Sequence, residues 1–267
     1  MDKRLETNRK NWNERTPVHA ESGFYDVAGF KAGSITLRTV EREEVGDVSG
    51  KSLLHLQCHF GLDTMSWSRL GAHATGVDFS EDAIRLARSL NAEVGTDARF
   101  VHANVYDLPE VLDEEFDIVF TSYGVLVWLP DLDRWAEVIN RHLKPGGAFH
   151  IVEFHPVLTT LEPGAGGEPR PFYNYFQQEL YFEGNEPSYA GDDPIASPKY
   201  EWQHSLGEIV TALADVGLRI DFLHEFPYCA YQALPSMELG EDGWWRFPEK
   251  NDSIPQIFSL RAVKSGL

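Results

Sequence analysis

Along the chain, the spacing of apolar and polar positions changes character near residue 51. Upstream, residues 5–15 fit a short helix, and the aromatic stretch SGFYDVAGF follows. From residue 51 short apolar runs alternate with segments of helical period. KSLLHLQC has the length and composition of a strand buried on both faces. DTMSWSRLGA predicts a helix closed by Gly71. HATGVD is a second strand. SEDAIRLARSLNAE is a helix with Ser80 as N-cap and Ala83, Ile84, Ala87 and Leu90 on its inner face. ARFVHA and FDIVFTSYG are the third and fourth strands. The helix DLDRWAEVINRHL follows, then a tight turn at Lys144-Pro145-Gly146-Gly147 and a fifth strand, AFHIVEF.

Five alternations with short connections predict a parallel sheet with helices on both faces. Residues 156–203 break the pattern with Pro, Gly and aromatic residues, and offer a pairing of QQELYFEG with KYEWQH. The pattern then resumes in SLGEIVTALADVG, LRIDFLHEF and PQIFSLRAVK. That resumption favours one domain over 1–267, with a core at 51–155, a lid insertion at 156–203 and completing elements at 204–267. Ligands of open α/β sheets bind at the C-terminal strand edge, where the insertion would lie.

Composition narrows the partners. The 267 residues are 42% hydrophobic, enough for a substantial core, and the formal net charge is -19. Such a surface repels phosphate backbones and anionic lipid, so the expected partner is a small molecule, not nucleic acid or membrane. Two cysteines, Cys58 and Cys229, make neither a disulfide framework nor a CxxC metal pair. The polar start, MDKRLETNRKNWNER, lacks a signal-peptide core, and no stretch approaches the ~18 apolar residues of a membrane span. A cytoplasmic protein is expected, with no metal.

The turn HLQCHFG, residues 55–61, is where nucleotide-binding folds place glycines. A dinucleotide needs bare backbone against its pyrophosphate, the G-x-G-x-x-G fingerprint. Here the comparable positions are Gln57, His59 and Leu62, and only Gly61 survives. Asp63 at the following helix start would compete with a phosphate for the same amides. S-adenosylmethionine carries no phosphate, and Gln57 and His59 could contact it through amide and imidazole groups. Asp78, at the end of the second strand, could accept from both ribose hydroxyls, and Phe79 could pack on adenine. Asn104 could meet the adenine amine with its amide oxygen, and the Val105 backbone could reach the ring nitrogens.

LLHLQCHFGLDT, GVDFS, HANVYDLP, FDIVFTSYG and LKPGGAFHIVE, in this order, resemble the class I S-adenosylmethionine-dependent methyltransferases over about residues 50–155, and more loosely through LRIDFLHEF and PQIFSLRAVK. The family's D-x-G-x-G-x-G opening reads His55-x-Gln57-x-His59-x-Gly61 here, and Asn104 replaces a more usual Asp. The resemblance implies a Rossmann-like seven-stranded sheet whose last strand is antiparallel, S-adenosylmethionine as methyl donor, and a small-molecule acceptor. It also implies that residues 1–50 cover the cofactor. The TSYGV segment, beginning at Thr121, lies near the implied methyl-transfer point. The cofactor set is then Gln57, His59, Gly61, Asp78, Phe79, Asn104, Val105 and Thr121.

A general base helps when the acceptor is a hydroxyl or a protonated amine. Glu153 and His155 end the fifth strand, His204 begins the helix after the insertion, and His19 and Tyr25 lie in the N-terminal segment; these five are the catalytic candidates. His55 reads as a core histidine and Cys58 as a small buried thiol. Trp128 reads as core, and the acidic run EREE at 41–44 as a solvated face. Two other readings remain: a non-catalytic binder of S-adenosylmethionine or S-adenosylhomocysteine, and an NAD-dependent oxidoreductase.

Overall fold

The computed structural model describes residues 2–176, 178–248 and 254–266. In chain order the helices are α1 (Lys3–Glu21), α2 (Val27–Lys31), α3 (Thr39–Val45), α4 (Leu62–Arg69), α5 (Glu81–Val94), α6 (Leu108–Val111), α7 (Leu132–His142) and α8 (Leu206–Asp215). The first five strands are β1 (Ser52–Leu56), β2 (His73–Asp78), β3 (Arg99–His102), β4 (Phe116–Ser122) and β5 (Leu143–Phe154). The insertion carries three antiparallel pairs. These are β6 (Leu161–Pro163) with β7 (Pro169–Pro171), β8 (Gln178–Phe182) with β11 (Lys199–Gln203), and β9 (Glu186–Ser188) with β10 (Gly191–Ile195). The chain then adds β12 (Leu218–Phe226), the short pair β13 (Glu238–Leu239) and β14 (Trp245–Arg246), and β15 (Ile257–Lys264).

Seven strands form one sheet in the order β12-β15-β5-β4-β1-β2-β3. The pairs among β1 to β5 are parallel, and β15 is antiparallel to both β5 and β12. The order reverses beside β1: the chain moves outward through β2 and β3, then returns to β4 on the other side. That switch point opens a crevice at the C-terminal ends of β1 and β4.

The apolar periods of the sequence become the packing faces. α5 buries Ala83, Ile84, Ala87 and Leu90, and its N-cap Ser80 accepts from the Ala83 N–H at 3.1 Å. Trp67 and Trp135 are fully buried on α4 and α7, each contributing on the order of 2–3 kcal/mol from burial. The expected pairing of the two segments forms as β8 with β11, in the register Tyr181↔Tyr200 and with the β9–β10 pair between them; Gln177, the first residue of the expected pairing, lies outside the described residues.

Three sequence expectations change. The N-terminal helix runs to Glu21, through Pro17, and not to 15. Proline removes one backbone donor, but Thr16 and His19 are buried and hold the last turn in place. α3 forms where a solvated acidic run was expected, and it turns Glu41 inward to 1% exposure. Trp128 is half-buried and lines the central cavity.

Candidate functional site

The crevice widens into a cavity of about 860 Å³, in the upper part of the range of small-molecule sites. Its floor is the 55–61 turn, with the ends of β2 and β4 beside it. Its cover comes from α1, the 22–41 segment and the insertion. Tyr25, Phe154, Tyr189 and Tyr231 give it an aromatic wall.

The turn keeps the backbone of a glycine loop without the glycines. Gln57, His59 and Gly61 have φ of 54°, 51° and 78°, alternating left-handed positions separated by one residue. For a non-glycine residue that region costs roughly 1–2 kcal/mol, so the two side chains are held there by their surroundings. Only glycine fits at 61, because a Cβ would lie 2.3 Å from the Phe100 ring. The Gln57 amide donates to the Val125 carbonyl at 3.0 Å, which leaves its Oε1 buried and without a partner. His59 Nε2 lies 3.0 Å from His19 Nδ1, and His59 Nδ1 is likewise unpartnered.

Asp78 is 8% exposed. Its two oxygens accept from the His59 N–H and the Ser80 N–H, both at 2.8 Å. Burial raises the carboxyl to about 6, against the lowering pull of the Ser80, His59 and Phe79 backbone N–H groups. Phe79 and Val105 line the cavity with it. Asn104 does too, but its amide oxygen caps the turn that follows by accepting from Tyr106 N–H at 3.0 Å. An adenine amine would have to share that oxygen's second lone pair.

Thr121 is not brought to the cavity. It is fully buried in β4, where its hydroxyl donates to the Leu56 carbonyl at 3.2 Å. Ser122, on the opposite face of the strand, and Tyr123, where the chain leaves β4 at a φ of 40°, reach the cavity instead.

Three of the five catalytic candidates are also placed elsewhere. Glu153 accepts from the backbone N–H groups of Gly124, Val125 (2.8 Å), Leu126 (3.1 Å) and Phe154 (2.6 Å). A carboxylate so occupied has no lone pair in good geometry for a substrate proton; it shapes the turn after β4. His155 points away from the cavity, with Nδ1 accepting from Val157 N–H at 3.1 Å and Nε2 2.8 Å from a Glu225 oxygen. His204 is tied through Nε2 to the Leu129 carbonyl at 2.7 Å. Each has a local partner that spacing along the chain could not reveal.

The other two lie together. Tyr25 lines the cavity, its hydroxyl 2.5 Å from that of Tyr189. His19 stacks on Tyr25 at 5.3 Å and sits one layer behind, between His59 and the Ser188 hydroxyl, 2.6 Å from Nε2. Burial, with Arg15 nearby, lowers His19 to about 3, so the ring is neutral. Tyr25 is raised by burial and by the neighbouring Tyr189 hydroxyl and keeps its proton. His55 is a satisfied core residue, with Nδ1 2.9 Å from the Thr64 hydroxyl. Cys58 is raised well above an ordinary thiol by burial and is not activated.

Several cavity residues were not singled out in the sequence. Trp12 and Arg15 come from α1, with the Arg15 guanidinium 5.5 Å from the Trp12 ring centroid and 5.6 Å from that of Trp128. Their signal was present: Asn8, Asn11, Arg15 and His19 repeat at three- and four-residue intervals, a polar stripe along one face of a helix. Glu41 and Tyr123 form a further wall with Asp63, which the sequence had placed at the helix start beside the turn. Among the described residues, no cluster of three His, Cys, Asp or Glu side chains could hold a metal ion, and no helix is long and apolar enough to cross a membrane.

Residues 54–151 match a family model described as a methyltransferase domain. Over 105 residues the chain is 30% identical to the ubiquinone biosynthesis O-methyltransferase of Pseudomonas syringae pv. tomato, covering 39% of this chain and 45% of that one. The chain thus spans less than half the length of the curated relatives it matches. Among solved structures it resembles an S-adenosylmethionine-dependent methyltransferase from Mesorhizobium loti, with TM-score 0.61, 20% identity, and 87% and 99% of the two chains covered. A putative one from Listeria monocytogenes gives TM-score 0.60, 17% identity, and 89% and 99% covered.

Proposed function

We propose that this chain, a member of the class I S-adenosylmethionine-dependent methyltransferases by its 54–151 domain and its fold, transfers a methyl group from S-adenosylmethionine to a small-molecule acceptor. The observation that carries this reading is the 57–61 turn. It holds glycine-loop geometry at two non-glycine positions, beside a buried Asp78 whose carboxyl lines the cavity.

The residues present fit this donor better than a dinucleotide. Asp78 would take the ribose diol, Phe79 and Val105 would enclose the adenine, and Asn104 would share its amide oxygen. Gln57 Oε1 is a buried acceptor, and His59 Nδ1 a buried ring nitrogen, without hydrogen-bond partners among the described residues. A pyrophosphate would face the Asp63 carboxyl and the Gln57 Oε1 acceptor, and both repel it.

When bound, the donor supplies an electrophilic methyl group on a sulfonium centre. The protein's contribution is alignment and exclusion of water. α1 and the 156–203 insertion cover the cavity, and the aromatic wall would hold the acceptor's apolar body. Glu153 fixes the turn after β4, so Tyr123, Gly124 and Val125 present a rigid edge to the transfer point. Tyr25 and Tyr189 are protonated hydroxyls that can orient an acceptor oxygen or nitrogen by hydrogen bonds.

Calorimetric titration with S-adenosylhomocysteine tests the reading. Micromolar binding is expected, with at least about tenfold loss in Asp78→Ala, as for the loss of charge-assisted hydrogen bonds. Binding of NAD with none of S-adenosylhomocysteine would overturn it in favour of an oxidoreductase.

A further inference from the structure

Among the described residues Arg15 is the only lysine or arginine that is buried, at 6% exposure. It stands on α1 and lines the cavity. A guanidinium carries five N–H donors. Here Nε donates to Asn11 Oδ1 at 2.6 Å and Nη1 to the Ser188 hydroxyl at 3.0 Å. Among the described residues the other three N–H groups have no acceptor, and no carboxylate forms an ion pair with Arg15. The two bonds that exist fix the fork without neutralising it, because Asn11 and Ser188 are uncharged. The guanidinium carbon lies within 5.6 Å of both the Trp12 and the Trp128 ring centroids. Burial pulls the group below its ordinary value, and Tyr189, Glu201, Tyr25 and Glu186 restore it only in part; it stays charged.

A second cation stands on the same wall. Lys199 Nζ, on β11, lies 4.4 Å from the Phe182 ring centroid and 5.9 Å from that of Trp128, and it pairs with Glu201 at 2.5 Å. Glu201 is therefore shared between two cations. A charge in a protein interior is retained where something balances it. The balancing group must be an anion that enters the cavity. A carboxylate has the two oxygens that the open side of a guanidinium fork takes, and the flanking indoles favour one carried on a flat ring.

Position separates this anion from the methyl donor. The proposed donor contacts lie on the cavity floor, at the 55–61 turn and after β2 and β3. Arg15 is held by Asn11 of α1 and by Ser188 of the insertion, and Lys199 is also in the insertion, so both cations belong to the cover. The match to the methyltransferase domain spans 54–151, and both cations lie outside it. We propose that Arg15, with Lys199 beside it, anchors a carboxylate on the methyl acceptor, which makes the acceptor a small aromatic acid. This rests on the methyltransferase reading and names its substrate class. The net charge of -19 opposes a polyanion along its whole length, whereas a single carboxylate need only meet this interior cation. The other source of the same chemistry is the donor's own carboxylate.

The experiment titrates benzoate and its neutral isostere benzamide calorimetrically into the wild type, Arg15→Gln and Arg15→Lys, each saturated with S-adenosylhomocysteine. Benzoate should bind the wild type at least about tenfold more tightly than benzamide. That preference should vanish in Arg15→Gln and shrink in Arg15→Lys, which keeps the charge and loses the fork. Equal binding of the two probes by the wild type, or no binding of benzoate, overturns the proposal. Affinities for S-adenosylhomocysteine and for 5′-methylthioadenosine, which lacks the amino acid end, should be unchanged in both variants and report that the site has folded. Weakening of S-adenosylhomocysteine alone in Arg15→Gln overturns the proposal too, since the guanidinium would then hold the donor's carboxylate. If Arg15→Gln binds neither adenosyl ligand it has not folded, and Arg15→Lys decides: an undiminished preference for benzoate there overturns the proposal. If the wild type binds no S-adenosylhomocysteine, the methyltransferase reading fails, a result separate from the benzoate preference, which the free protein also reports.

Discussion

At the scale of single residues, the site is defined by groups whose conformation or bonding disagrees with their type. Gln57 and His59 occupy backbone conformations that glycine adopts without cost. This inverts an ordinary ranking. In most positions alanine stabilises relative to glycine, but at 57 we expect Gln57→Gly to be more stable than Gln57→Ala by roughly 0.5–1 kcal/mol, as read by urea denaturation. The ordinary order would mean that the turn does not hold a left-handed residue there. Glu153 shows the opposite kind of mismatch. A carboxyl at a strand end beside a cleft suggests proton transfer, yet its four backbone donors make it a structural tie. Residue type and position along a strand were legible; the saturation of its lone pairs was not, because three of the four donors come from residues 124–126, distant in sequence.

At the scale of elements, α1 is the most informative. Its buried face carries Leu5 but otherwise Asn8, Asn11, Arg15, Thr16 and His19, so hydrophobic burial holds only its first turn. Side-chain amides do. Asn8 donates to the Tyr200 carbonyl at 2.8 Å and accepts from the Tyr200 N–H at 2.7 Å, completing the free edge of β11 as a neighbouring strand would. Asn11 donates to the Ser197 carbonyl at 2.7 Å. The helix and the insertion therefore form one cover, joined at the His19–Ser188 contact above the 57–61 turn. Asn8→Ala removes both edge bonds and should cost the docking about 1–3 kcal/mol. Hydrogen exchange should then speed up at least about tenfold in α1 and β11 and stay unchanged in β1–β5. A uniform change across the sheet would show that α1 is part of the core folding unit and not a separately docked cover.

At the scale of the whole molecule, charge and topology act separately. The -19 formal charge is spread over a fold that also buries acids against its cavity. Self-repulsion of this size destabilises the compact state at low ionic strength. Raising salt from about 10 mM to about 150 mM shortens the Debye length from roughly 30 Å to 8 Å, so the midpoint of thermal unfolding should rise. A midpoint that falls would point to net attraction among the surface ion pairs instead. The sheet's switch point sets where a ligand can enter, and the charge sets which ligands are tolerated; an acidic surface over aromatic walls suits a small molecule and repels a polyanion.

The sequence by itself determined the sheet, because apolar runs of strand length and helices of regular period must bury those faces together. It determined the position of the turn on the cavity floor, because a strand running into a helix at 55–61 has few alternatives. It also determined that Asp78 ends a strand beside that turn. Only the tertiary structure decided which polar residues are free. Thr121, Glu153, His155 and His204 were each satisfied by a partner remote in the chain, while Glu41, in a run read as solvated, was turned inward. Periodicity reports which face of an element is apolar. Whether a polar group on that element is sated or open depends on what the rest of the fold places against it.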